Sequence, residues 1–233
     1  MREKNLIDRV MHFLVHNSIL FTIAIMGMVH FTLLVIMIIA QVTPLIHLNV
    51  LSVVIYVFCV ILCTSGHIMP VYLSLLLEVT FYTIASVYQI GWNCGSICFL
   101  CAIVPIIIYL GCFVFKRPQR WIIVLFLGIN ISTYFVLYLV FADKPPVFAV
   151  PHVIRSILVL FSSTVMIVSM IFYSTIYIYA SEVEKTDLVQ KNKQLSVDAQ
   201  EDTLTNLLNR RGFLPVVEEL MKKGKDGHFC VAF

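Results

Sequence analysis

Residues 18–40 read SILFTIAIMGMVHFTLLVIMIIA, a run with no Asp, Glu, Lys or Arg in it. At about 1.5 Å of rise per residue, a block of this length crosses the roughly 30 Å hydrocarbon core of a bilayer as a single helix. The basic residues Arg2, Lys4 and Arg9 precede it, a pattern shared with secretory leaders. The block is too long for a leader and has no small-x-small cleavage site near its end. Further apolar blocks follow it, so it reads as a signal anchor.

Those further blocks lie at about 46–65, 70–90, 96–115, 121–141 and 153–180, which predicts six transmembrane helices. Composition agrees with them. Hydrophobic residues make up 60% of the chain and charged residues only 12%, against roughly 45–50% and 25% in soluble domains. The predicted fold class is therefore an α-helical membrane protein with the lipid bilayer as its principal partner. The net charge of +3 bears on orientation in the membrane and gives no reason to expect nucleic acid.

Lys and Arg in short loops mark the cytoplasmic side. Arg2, Lys4 and Arg9 lie before the first block, and Lys116, Arg117 and Arg120 follow the fourth. Residues 41–45 and 91–95 carry no basic residue, and residues 142–152 carry only Lys144. Both termini are thus expected in the cytoplasm, as an even number of spans requires. Residues 66–69 have no basic residue and do not vote. Trp92 and Trp121 fall at block ends, where indole favours the headgroup layer.

Ionisable side chains inside spans are expensive and mark functional candidates. Glu78 is the one acidic residue deep in a block. It lies about 12 Å inward from Pro70 at 1.5 Å per residue. His30 and Asn130 fall at broadly similar depth, so His30, Glu78 and Asn130 form a candidate intramembrane polar cluster. Such a cluster serves either as a ligand site or as an interhelical hydrogen bond that holds the bundle. Pro105 is expected to kink the fourth block by removing a backbone donor. Arg155 opens the sixth block, placed to reach headgroups or to hold an anion. The seven cysteines include Cys94, Cys98 and Cys101 in a C-x3-C-x2-C spacing. An apolar span is a poor setting for an iron–sulfur loop, and membrane cysteines usually pack as small apolar residues.

After Ala180 the composition turns to Glu, Lys, Asp and Gln, with neither Pro nor Gly through residue 201. This predicts a linker helix continuous with the sixth span. With Leu188 and Leu195 at heptad d positions, Lys185, Asn192 and Ala199 fall at a. That is a weak seam whose polar a residues trade stability for register and favour two-stranded pairing. A marginal parallel coiled coil is expected, with a homodimer as its consequence. A solvated single helix is the alternative.

The linker leads into Asp202-Thr203-Leu204-Thr205-Asn206-Leu207-Leu208-Asn209-Arg210-Arg211-Gly212-Phe213. This stretch resembles the opening of the GGDEF domain, the catalytic domain of bacterial diguanylate cyclases, which reads Asp-x-Leu-Thr-x-Leu-x-Asn-Arg-Arg-x-Phe. Asp202, Leu204, Thr205, Leu207, Asn209, Arg210, Arg211 and Phe213 match every defined position. The resemblance spans residues 202–233 and implies three parts: a membrane sensor over 1–180, a signalling linker over 181–201, and the start of an α/β catalytic domain over 202–233. It further implies a bacterial inner-membrane protein whose family joins two GTP into cyclic di-GMP with Mg²⁺, by facing two catalytic domains across a dimer. The family's metal-binding carboxylates and its Gly-Gly-Asp-Glu-Phe signature are expected beyond Phe233. No catalytic, cofactor or metal residue is therefore assigned here, and the chain as given is expected to be inactive. In the family the matched residues couple linker to catalytic domain.

Within this last part Asn209 is placed to cap a helix beginning at Arg210. Phe213, Val216, Val217 and Leu220 are spaced for a buried face. Pro215 sits beyond the first turn, so the helix either starts late or kinks. Residues 228–233 read as a first β-strand. The competing reading of the whole chain is a non-enzymatic six-span receptor or transporter with a vestigial tail.

Overall fold

The computed structural model describes residues 6–200, 202, 205 and 207–223. Among these the chain is overwhelmingly helical and forms no β-strand. The strand expected at 228–233 and the motif residue Leu204 lie outside the described residues. Two compact units divide the chain, Met1–Ile178 and Tyr179–Phe233.

In the first unit the helices are α1 (Leu6–His16), α2 (Ser18–Ala40), α3 (Thr43–Thr64), α4 (Ile68–Ile90), α5 (Cys98–Ala102), α6 (Val104–Val114), α7 (Trp121–Phe141) and α8, which begins at His152 and runs to Asp198. Five of them, α2, α3, α4, α7 and α8, are long and apolar enough to cross a membrane. Exposed Met28, Leu77, Leu139 and Leu160 are typical of their outer surfaces, a surface that suits hydrocarbon and not water.

The fourth apolar block departs from a simple span. Residues 98–114 form a shorter apolar stretch, broken at Ile103 into α5 and α6. Pro105 sits in the first turn of α6, where its missing N–H and fixed φ are tolerated at a helix start but not within one. The Ser169 hydroxyl from α8 donates to the Ala102 carbonyl at the break, 2.7 Å away. In a bilayer a freed backbone group must find such a partner, since lipid offers none.

α4 lies at the centre, packed against α3, α5, α6 and α7, while α2 pairs along α3. Val71, Tyr72, Leu75 and Tyr82 of α4 are among the most completely buried side chains. The Tyr72 hydroxyl donates to the Ile107 carbonyl at 3.1 Å, tying α4 to α6. α8 is joined to the bundle by side chains, among them Tyr173, whose hydroxyl lies 2.6 Å from that of Thr22 on α2. Between α4 and α5 the chain turns through Gly95 at φ +77°, and a Cβ there would lie 2.8 Å from the Val159 Cα of α8. Only glycine permits both that backbone conformation and that approach.

α1 was not apparent in the basic N-terminal tail. It is strongly amphipathic. Met11, Leu14 and Val15 pack on the core, while Arg9, His12 and His16 are exposed.

The second unit contains the end of α8 and α9 (Arg210–Lys223). α8 is one uninterrupted helix through the end of the expected sixth span and into the linker. α9 begins at Arg210 and continues through Pro215 without a late start. Phe213 and Val217 are half-buried. Val216 and Leu220 are 44% and 53% exposed, so the expected apolar face is only partly covered.

Candidate functional site

α3 carries Asn49, Ser52 and Tyr56 one turn apart on a single face, and that face is turned inward, with all three at least 98% buried. Spacings of three and four residues put side chains one above another on a helix. Opposite them stand His30 of α2 and Glu78 of α4, both nearly inaccessible. His30 Nε2 lies 3.2 Å from Glu78 Oε2. The structure thus brings His30 and Glu78 together, with α3 between their helices supplying the rest of the network.

Glu78 is fully engaged. The Ser52 hydroxyl donates to Oε1 at 2.5 Å, and the Tyr56 hydroxyl donates to Oε2. Ser52 also reaches the Leu48 carbonyl at 3.0 Å. His30 Nδ1 lies 3.1 Å from Asn49 Oδ1, and the Asn49 amide donates to the Leu45 carbonyl at 2.7 Å. That amide bond orients Asn49 with its oxygen toward the imidazole, so Nδ1 carries a hydrogen. Each polar side chain of the cluster thus has a partner inside the bundle. The ring of Tyr82 meets His30 edge-on, with centroids 4.7 Å apart, and completes the enclosure.

Asn130 does not join this cluster. It lies on α7, beside Leu100, Cys101 and Tyr134, and its Nδ2 is buried without a hydrogen-bond partner. Depth along the membrane normal is set by sequence position, but the direction around the helix axis is not. Asn49 holds the amide position that Asn130 was expected to take.

The cysteine triplet offers no metal site. Among the described residues no three His, Cys, Asp or Glu side chains are grouped to hold an ion. Cys94 sits in the turn between α4 and α5, where burial pushes its thiol pKa up while Arg155 beside it acts in the opposite direction. A thiol held protonated in this way is a packing residue and a poor nucleophile. Arg155 is half-buried there at the start of α8.

In the second unit the motif residues build a junction between two helices. Asn209 Oδ1 accepts from the backbone N–H of Arg211 at 2.9 Å and of Gly212 at 3.2 Å, capping α9 at its N2 and N3 positions. The same side chain donates through Nδ2 to the Ala199 carbonyl just past the end of α8, at 3.0 Å. The Asp202 carboxylate accepts from both the N–H and the hydroxyl of Thr205, at 3.0 and 3.1 Å. Two backbone bonds close the turn, Asp202 N–H to Leu207 O at 2.8 Å and Asn209 N–H to Gln200 O at 2.7 Å. Gly212 is required as well, because a Cβ there would lie 2.5 Å from the Gln200 carbonyl. Arg210, Arg211 and Leu207 are exposed, and Phe213 is half-buried.

Comparisons with protein-family models, with curated proteins and with solved structures return no match for this chain.

Proposed function

We propose that this chain is the membrane sensor and linker of a bacterial diguanylate cyclase, leading into the first part of its GGDEF domain. The match of residues 202–213 to the opening of that domain carries the reading. Asp202, Thr205 and Asn209 commit their side chains to the junction between α8 and α9. That use suits residues whose task is to transmit the state of a linker, and it needs no catalytic role for them. A single helix from His152 to Asp198 likewise suits a rod that carries a signal out of the bilayer.

In this reading residues 96–115 are a broken fourth span, and both termini lie on the cytoplasmic face of the inner membrane. The linker pairs in parallel with that of a second copy through Leu188 and Leu195. The complete domain would bind GTP and Mg²⁺, with the metal neutralising phosphate charge and activating the attacking hydroxyl.

A receptor or transporter without enzymatic output is the second reading, favoured by the buried His30–Glu78 pair. The gene sequence downstream of the Phe233 codon separates the two. The cyclase reading expects an open frame with an Asp within a few residues and a Gly-Gly-Asp/Glu-Glu-Phe segment some tens of residues on. An immediate stop codon or an unrelated frame overturns it.

A further inference from the structure

Beside the polar network, α2, α4, α5, α6 and α8 enclose a cavity of about 230 Å³. Six rings stand around it: His30, Tyr82, Phe99, Phe161, Phe172 and Tyr173. Its polar side chains already have partners. Ser169 donates to the Ala102 carbonyl, Thr164 to the Leu160 carbonyl, and the Tyr173 hydroxyl pairs with Thr22. Both His30 nitrogens are engaged by Glu78 and Asn49, and the Tyr82 hydroxyl receives the Asn49 amide at 3.5 Å. Water needs two to four polar partners to occupy a buried site, and the Ser169 and Thr164 hydrogens are already committed to carbonyls in a wall that is otherwise mostly apolar. Ile25, Thr164 and Val168, which also line it, lie on the exposed surface of the bundle. Access is therefore from the hydrocarbon side.

We infer that the cavity is a binding site for a small, uncharged aromatic molecule dissolved in the bilayer. Size sets the class. A cavity of about 150 Å³ takes benzene, or roughly 25 Å³ per carbon, so one of 230 Å³ takes a ring system of about nine carbons. Shape agrees with size. Rings meet rings edge-on or offset, as Tyr82 already meets Phe99 with centroids 6.1 Å apart, and a flat ligand extends that packing. A flexible acyl chain gains no such contact. α8 supplies Phe161, Val165, Phe172 and Tyr173 to the wall, so occupancy bears directly on the helix that becomes the linker. That coupling rests on the cyclase-sensor reading; the binding itself does not.

The test uses membranes containing the full chain, photolysed with phenyl azide, and adducts mapped by mass spectrometry. Labelling of Phe161 and Phe172 should saturate with probe. It should fall about tenfold when unlabelled naphthalene is present at some ten times its dissociation constant. Labelling of the lipid-facing Leu139 and Leu160 should rise linearly and resist competition. The Val165→Phe variant, which places a ring in the space, should lose the saturable part alone. Cavity labelling in the wild-type chain that rises linearly and is not competed overturns the site. Decane competing as well as naphthalene overturns the aromatic assignment and makes the space an acyl-chain crevice. Neither outcome depends on cyclic di-GMP, so failure here is distinct from failure of the proposed function.

Discussion

Replacing Glu78 with Leu removes the acceptor from three groups at once: the Ser52 hydroxyl, the Tyr56 hydroxyl and His30 Nε2. Ser52 keeps a partner in the Leu48 carbonyl, which leaves two buried groups stranded. A buried unsatisfied group costs about 1–3 kcal/mol, whereas hydrogen bonds measured inside membrane proteins average about 0.6 kcal/mol because the unfolded chain finds substitutes. Two groups at values between those limits give a destabilisation of about 2–3 kcal/mol for Glu78→Leu. Tyr56→Phe removes one bond and should cost about 1 kcal/mol by the same reasoning. The pair His30→Leu with Glu78→Leu strands less than the sum of its parts, so it should recover at least about 1 kcal/mol relative to additivity. Unfolding by SDS in mixed micelles, followed by Trp92 fluorescence, reads the wild type, the single variants Glu78→Leu, His30→Leu and Tyr56→Phe, and the double variant; Trp92 packs against Tyr134 and Tyr138 and will report loss of that contact. Leu139→Ala, on a residue 80% exposed, is the control and should change little. Glu78→Leu within about 0.5 kcal/mol of wild type, or strict additivity of the double variant, would refute the network as drawn.

Reporter fusions at Lys144 should read external and those at Lys116 and Glu184 cytoplasmic, and a cytoplasmic signal at Lys144 would end the six-span topology. With native cysteines replaced, a Cys at Leu188 or Leu195 should cross-link to its counterpart faster than one at Val189 or Ser196; equal rates at all four mean no fixed seam. Asn209→Ala should speed hydrogen exchange at the Arg211 and Gly212 amides by roughly fivefold, from loss of a cap worth about 1 kcal/mol. Asn209→Asp keeps the cap oxygen and should leave those two amides near wild type while releasing Ala199.

Charge and hydropathy placed the long helices well, since α2 and α7 occupy the same residues as the apolar blocks at 18–40 and 121–141. A run of apolar residues bounded by polar ones leaves little choice of where a membrane helix begins. The fourth block was harder. Its hydropathy is continuous, but Pro105 interrupts the backbone ladder, and only the packing of Ser169 against Ala102 reveals how the break is satisfied. His30 and Glu78 are legible as candidates because titratable groups are rare in lipid. Asn49, Ser52 and Tyr56 carry no such mark, although their spacing puts them on one helical face. Asn130 was misplaced because depth says nothing about azimuth. In the tail, the capping role of Asn209 followed from residue type alone, whereas its second bond to Ala199 depends on the chain folding back, which no local pattern encodes.

In the proposed function residues 1–213 deliver a signal to a diguanylate cyclase domain. The direct measurement joins this segment at Phe213 to the catalytic domain of an active diguanylate cyclase, at the matching Phe of that domain's own opening motif. Membranes carrying the fusion are supplied with GTP and Mg²⁺, and cyclic di-GMP is quantified. Turnover should depend on the membrane segment and change severalfold with Asn192→Leu in the linker and with Asn209→Ala at the junction, with the amount of fusion protein unchanged. Turnover equal to that of the untethered domain and indifferent to both substitutions would contradict it.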